Sequence, residues 1–359
     1  MAKRSSLIVA LVILVVAATV WFNQRAIGQI LFDRTVERTA GRDPSAQLPD
    51  GIHAYLCGSG SPMPDAERAG PCIAVLAGKE AFVFDAGAGG IRKLGRMGFP
   101  MDRLNAAFLT HLHSDHIDSL GELMLQAWML GTRGEPLPVY GPPGIDRVVA
   151  GFVEAYSIDR EFRIAHHGPE VARPGGFGAK AQVIDLAAKE ISGSIVYRSG
   201  DVTIRAIEVE HQPVDHSLAF RIEYRGRSLV ISGDTKRSDD LVSFASGADV
   251  LFHEALNPQM VGEIGRTVGA RGNASVAKIM ADIPDYHTSP EDAARVAQAA
   301  RAKALVLYHL VPGPPVAPVG KAFLGDAGKL FEGDLRIGAD GLFVSLPAQG
   351  EAVSFDQLL

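Results

Sequence analysis

Three imidazoles and a carboxylate fall within the segment His111-Leu112-His113-Ser114-Asp115-His116, directly after the apolar run Ala106-Ala107-Phe108-Leu109. Neutral imidazole is the commonest metal-binding side chain, and a carboxylate serves hard or borderline cations, so this spacing offers ligands for two adjacent ions. Side chains two apart on an extended segment point the same way, which pairs His111 with His113. A bend after the strand would turn Asp115 and His116 toward a neighbouring position.

Four further segments end an apolar run with a group able to bind metal or move a proton: Glu210-His211, Gly233-Asp234, His253-Glu254 and His309. Side chains at strand ends are held accurately because the sheet behind them is rigid. His287 precedes a helix that begins near Pro290, with Ser289 as its N-cap and Glu291 and Asp292 in the first turn. The loop after residue 210 carries two candidates, His211 and His216. Rigidity favours His211, which comes straight off a strand, and leaves His216 beside the site or facing substrate. A histidine paired with a carboxylate keeps one tautomer and gains basicity, so His287 with Glu254 suits proton transfer. Asp85, in Asp85-Ala86-Gly87, reads as support for the turn beside the site. His53, His166 and His167 fit no ligand slot and read as structural or surface residues.

The elements that must position these groups follow from pattern. From Ile52 onward, short apolar or β-branched runs alternate with Gly/Pro turns and Ala-rich helical stretches, the signature of an α/β domain. Strands are expected at 52–56, 72–76, 81–84, 106–109, 202–209, 217–224, 228–231, 250–252 and 304–307, and helices at 120–130, 144–157 and 290–301. Tight turns such as Arg225-Gly226 make the sheets mixed rather than purely parallel. The long stretch between Tyr140 and Val202 reads as an insertion with Gly175 to Gly178 as a flexible tip, suited to a lid or a substrate-selecting loop.

With 359 residues and 47% hydrophobic content, the chain can fill one large domain. The net charge of -6 is dispersed and lays down no extended nucleic-acid track. Two cysteines exclude a disulfide scaffold. Cys57 and Cys72 flank the loop 58–71; a single bridge in an oxidising compartment and two free thiols both fit. Lys3 and Arg4 precede an uncharged apolar run from Leu7 to Phe22, which reads as a membrane signal with Trp21 and Phe22 at the interface. No small-residue cleavage site precedes that aromatic pair, so an uncleaved anchor over 1–24 is favoured over a removed signal peptide. The positive flank then predicts export of the globular domain, with 25–50 as a partly helical linker and 51–359 as that domain.

Five segments together resemble the metallo-β-lactamase superfamily, in its ribonuclease Z-like and arylsulfatase-like branch. They are Cys57-Gly58-Ser59-Gly60-Ser61-Pro62 with Arg68-Ala69-Gly70-Pro71; Phe84-Asp85-Ala86-Gly87; the His111 to His116 motif; Phe220-Arg221-Ile222 leading into Ser232-Gly233-Asp234-Thr235; and Tyr286-His287-Thr288-Ser289-Pro290 leading to His309-Leu310. The resemblance implies a four-layer αββα sandwich of two mixed sheets with a dinuclear metal centre at one edge. It implies that His111, His113 and His211 hold one ion, that Asp115, His116 and His309 hold the second, and that Asp234 bridges them. Two zinc ions are expected, with iron or manganese as alternatives. A hydroxide shared by the ions would be the nucleophile, Asp115 would orient it or accept its proton, and His287, oriented by Glu254, would protonate the leaving oxygen.

One departure narrows the substrate. Transfer-RNA-processing members of the branch carry a long arm that can follow the third-ligand strand, whereas the span from Phe220 to Asp234 holds only a tight turn. The expectation is a metal-dependent hydrolase of phosphodiesters or sulfate esters, acting on a small ester substrate, with the membrane contacted through the N-terminal segment and nucleic acid disfavoured. A homodimer is compatible with this reading. A lactonase or thioesterase on the same centre is the alternative, and a metal-binding protein without turnover stands behind both.

Overall fold

The central strands are buried throughout, and their side chains divide between two cores, as a sheet covered on both faces demands. The structure, a computed structural model describing residues 2–186 and 192–359, contains strands β1 (Gly51–Gly58), β2 (Cys72–Ala77), β3 (Glu80–Phe84), β4 (Leu104–Phe108), β5 (Leu137–Gly141), β6 (Ala179–Val183), β7 (Ser194–Ser199), β8 (Val202–His211), β9 (Val214–Tyr224), β10 (Arg227–Ile231), β11 (Val250–Leu256), β12 (Ala304–Val311), β13 (Asp334–Ile337), β14 (Leu342–Pro347) and β15 (Ser354–Gln357). In β1, Ile52, Ala54 and Leu56 enter one core while Tyr55 and Cys57 enter another on the opposite face. The order β15-β14-β1-β2-β3-β4-β5-β6 builds the first sheet, and β13-β12-β11-β10-β9-β8-β7 builds the second.

The inner faces of the two sheets share a core that includes Ile52, Phe84, Phe108, Phe220, Phe252 and Tyr308. The outer face of the first sheet is covered by helices Gly90–Arg96, Leu120–Gly131 and Ile145–Ala155, and that of the second by Asp239–Phe244, Pro290–Ala299 and Ala317–Leu324. This is the expected αββα layering of two mixed sheets. Strands β3, β4 and β5 run parallel, as do β10, β11 and β12, so two sets of strand C-termini meet at one edge of the sandwich.

Every expected strand and helix has an observed counterpart, and β5, β6, β7, β13, β14 and β15 are additional. Most of these added strands are short or carry polar, exposed residues, whereas β14 holds the plainly apolar run Leu342-Phe343-Val344 between β15 and β1. The expected flexible tip is instead packed down. Gly176 is buried, with room for a Cβ removed by the Arg133 carbonyl at 2.0 Å, and the Trp128 indole donates to the Arg173 carbonyl at 2.7 Å. Cys57 and Cys72 are joined in a disulfide.

The chain divides into two compact units, Met1–Ala46 and Gln47–Leu359. The first contains helices Ala2–Phe22 and Gln24–Thr39, and the apolar side chains from Ile8 to Val16 and from Val20 to Phe22 are exposed. Among the described residues no single helix is long and apolar enough to cross a membrane; Ile8–Phe22 and Gln24–Thr39 meet the criterion only together, as a pair bent by 71°. That corrects the expectation of a single spanning helix within residues 1–24.

Candidate metal centre

At the C-terminal end of β4 the chain turns under the control of Asp85. Its carboxylate accepts the Thr110 amide at 2.8 Å and the Thr110 hydroxyl at 2.9 Å, and it accepts Nδ1–H of His116 at 2.9 Å. Asp85 is a non-glycine residue with φ of 56°, a conformation that aims its side chain across the turn. The short helix Ser114–Ile117 then brings Asp115 and His116 back toward His111 and His113, the bend expected from the motif.

The remaining groups arrive from strand ends of the second sheet. His211 closes β8, beside the two-residue turn Gln212-Pro213. Asp234 follows β10 through Gly233, whose φ of 61° and approach to the Leu218 carbonyl leave no space for a side chain, since a Cβ would lie 2.5 Å from that oxygen. His309 is the extra residue of a bulge in β12: Glu254 pairs with Tyr308 and Ala255 with Leu310, while His309 takes φ of 46° between them. Tyr308 still faces the inner core and Leu310 the outer one, so the bulge re-aims His309 without disturbing its neighbours.

These residues converge on one carboxylate oxygen. Asp234 Oδ2 lies 3.2 Å from His309 Nε2, 3.4 Å from His116 Nε2, 3.8 Å from His111 Nε2 and 3.9 Å from His211 Nε2. Asp115 Oδ2 lies 3.3 Å from His309 Nε2 and 3.5 Å from His116 Nε2. Donor atoms of His111, His113, His211 and Asp234 fall within 4.8 Å of one another, and so do those of Asp115, His116 and His309. His216 stays outside: it is exposed, with φ of 61°, and bonds to Glu208. His53 is buried against Phe343 and donates to the Pro49 carbonyl at 2.7 Å, while His166 and His167 are exposed at a helix end.

The donor set fits metal ions on the molecule's own accounting. His116 Nε2, His211 Nε2 and Asp234 Oδ1 are buried without a hydrogen-bond partner, a costly arrangement for polar atoms. Their other ring nitrogens are committed, His116 Nδ1 to Asp85 and His211 Nδ1 to the Tyr286 carbonyl at 2.9 Å, which fixes the tautomers that leave Nε2 free. Ligands about 2.0–2.1 Å from a tetrahedral zinc lie about 3.3 Å apart, within the range found here. Burial, reinforced by neighbouring imidazoles, holds His111 and His113 below the usual histidine range, and burial does the same for His211; neutral rings are the form that binds metal. Burial would raise Asp234, but His309 and His116 outweigh it and hold the carboxylate well below its ordinary value.

A second constellation sits alongside. Glu254 is fully buried, and its Oε1 accepts Nδ1–H of His287 at 3.1 Å, the Thr288 amide at 2.9 Å and the Thr235 amide at 3.3 Å. Burial alone would lower His287, but Glu254 more than compensates and raises it to about 9. The His287 ring stacks 5.5 Å from that of His309, at the mouth of the cluster. The Tyr286 carbonyl that orients His211 had no signal in the sequence, because any residue carries a carbonyl.

The Beta-lactamase superfamily domain matches residues 81–310, which include every residue of the cluster. The chain belongs to the metallo-β-lactamase superfamily. It is 35% identical over 293 residues to the ribonuclease Z of Mycobacterium bovis (strain BCG / Pasteur 1173P2), covering 80% of this chain and 96% of that protein. It is also 35% identical over 263 residues to the ribonuclease Z of Mycolicibacterium gilvum (strain PYR-GCK), covering 73% of this chain and 85% of that one. Among solved structures, the short form of human tRNase Z is similar in fold, with a TM-score of 0.56, 20% identity and coverage of 82% of this chain and 99% of that one. The metallo-beta-lactamase fold protein YhfI of Bacillus subtilis is similar at a TM-score of 0.58 and 21% identity, covering 82% and 100%. This superfamily member is a ribonuclease Z-like metallo-hydrolase of the phosphodiesterase type, and its His/Asp cluster is a candidate dinuclear metal site.

Proposed function

We propose that this hydrolase cleaves small phosphodiesters, with sulfate esters as its second substrate class. The convergence of four histidines on Asp234, beside a carboxylate-bound His287, carries the reading. His111, His113 and His211 would hold one ion, Asp115, His116 and His309 the other, and Asp234 would serve both. Zinc suits a set of imidazole and carboxylate donors. When bound, such a pair supplies an activated water and neutralises charge developing on the oxygens of the scissile group.

The chain's own groups supply the rest. His287, kept protonated by Glu254, donates to the leaving oxygen. Asp115, held below the usual carboxylate range by its bond to His309 and by His116 in spite of burial, stays ionised and orients the attacking water. The helical hairpin Pro258–Ala270 and Ala274–Asp282 lies in the chain between Glu254 and His287, and its Val261 and Met280 pack with Leu256, Val311 and Met63.

The name of the relatives brings nucleic acid back as a substrate class, against the expectation drawn from charge. The small-ester reading is supported by the connections between His211 and Asp234, which are a two-residue turn and the turn Arg225-Gly226, with no arm. The exposed apolar side chains from Ile8 to Val16 and from Val20 to Phe22 support a membrane-associated placement, and the basic flank Lys3-Arg4 supports export. The test is the full chain loaded with zinc and assayed on an aryl phosphodiester, an aryl sulfate, a lactone, a thioester and an RNA with a 3′ extension. The phosphodiester should give the highest kcat/KM, abolished by a chelator. A tenfold preference for the lactone, the thioester or the RNA would refute the assignment.

A further inference from the structure

The loop 58–71 carries none of the converging side chains, yet it is tied into the centre at both ends. The disulfide between Cys57 and Cys72 closes its base. Its two arms hang on a carboxylate that lies between β13 and β14. Asp340 Oδ1 accepts the Ser59 amide at 2.8 Å and the Ser59 hydroxyl at 2.6 Å, while Oδ2 accepts the Ala69 amide at 2.6 Å and the Lys93 ammonium at 2.7 Å. The Asp340 side chain is only 5% exposed. Arg68 completes the network, donating to the Ser59 hydroxyl oxygen at 2.6 Å and to the Gly338 carbonyl at 2.7 Å.

Each arm meets the backbone at or beside one of two residues of the same candidate metal position. On the near arm, the Ser59 carbonyl accepts the amide of Leu310 at 3.0 Å, immediately after the bulged His309. On the far arm, the Gly87 amide donates to the Pro71 carbonyl at 2.9 Å and the Gly70 amide to the Ala88 carbonyl at 3.0 Å. The backbones there touch: a Cβ on Gly87 would lie 2.5 Å from the Asp115 carbonyl oxygen, and one on Gly70 would lie 3.1 Å from it. A shift of the loop therefore displaces Asp115 and His309 together. His211 is oriented from elsewhere, by the Tyr286 carbonyl.

We infer that Asp340 is a positioning residue for the Asp115–His116–His309 metal position, holding it through the loop 58–71 without touching any of its donors. The inference rests on the two-ion reading above. Groups that orient metal ligands from outside typically contribute about 10- to 100-fold in metal affinity. The loss on removing Asp340 should fall on one ion of the two.

The experiment measures zinc per chain by mass spectrometry on the full protein, equilibrated across a series of chelator strengths. Wild type is compared with Asp340→Asn and Asp340→Ala. His309→Ala and His113→Ala mark the two positions, and cobalt substitution gives each a visible spectrum. Asp340→Asn retains an oxygen for Ser59 and loses the acceptor for Ala69 and Lys93, so it is the gentler variant if Asp340→Ala does not fold. The expected result is loss of one ion at least tenfold more readily, with the cobalt spectrum of His309→Ala and the other ion held within twofold of wild type. Equal weakening of both ions, or unchanged affinity in Asp340→Asn, would overturn the inference. Wild type binding fewer than two ions would instead overturn the two-ion reading on which it rests.

Discussion

Replacing Glu254 by Gln removes the charge that holds the His287 proton while preserving an oxygen for the Thr288 and Thr235 amides. His287 stands at about 9 against an ordinary 6.5, with burial opposing the rise and Glu254 driving it. At about 1.4 kcal/mol per pKa unit, the pairing is worth about 3 kcal/mol in the folded, metal-free protein. The folded value is raised, so this stability is fully present below pH 6.5 and is lost as pH rises through about 9. Wild type should therefore exceed Glu254→Gln in unfolding free energy by about 3 kcal/mol at pH 6, with the gap narrowing toward pH 10. Denaturant unfolding at pH 6, 8 and 10 reads the gap, and an imidazole NMR titration reads His287 itself, which should fall to its ordinary value or lower in the variant. A His287 that still titrates near 9 without Glu254, or a gap independent of pH, would refute the pairing as the source of the proton.

Asp234→Ala should abolish turnover and remove both zinc ions, because its Oδ2 faces histidines of both sets; retention of two ions at full rate would exclude the bridge. His211→Ala should release one ion, whereas His216→Ala should keep both and change kcat/KM by less than about twofold, as expected of an exposed group away from the cluster. His287→Ala should keep its metals and slow substrates with poor leaving groups far more than activated aryl esters; an equal loss on both would argue against a leaving-group acid. Phe108→Ala, at a fully buried ring packed on Phe84, Tyr140 and Phe220, should cost about 3–5 kcal/mol in denaturant unfolding.

Local pattern carried most of the centre. The density of histidines at 111–116 and the placement of His211, Asp234, Glu254 and His309 after apolar runs were legible because strand ends are marked by a change from apolar to polar residues. The α/β pattern was legible in the same way, whereas the four-layer arrangement was implied only by the resemblance to the superfamily. Tertiary structure decided what long-range pairing controls. Rigidity and spacing favoured His211 over His216 without excluding the latter, and only the packing of β8 on β9 turned one inward and the other onto Glu208. Nothing local announced that His309 occupies a bulge, because the bulge is defined by the register of β12 against β11. Asp340 was silent for the same reason. It lies 281 residues from Ser59 and 271 from Ala69, and a single aspartate in a turn acquires meaning only when the fold brings both arms of a distant loop onto its two oxygens.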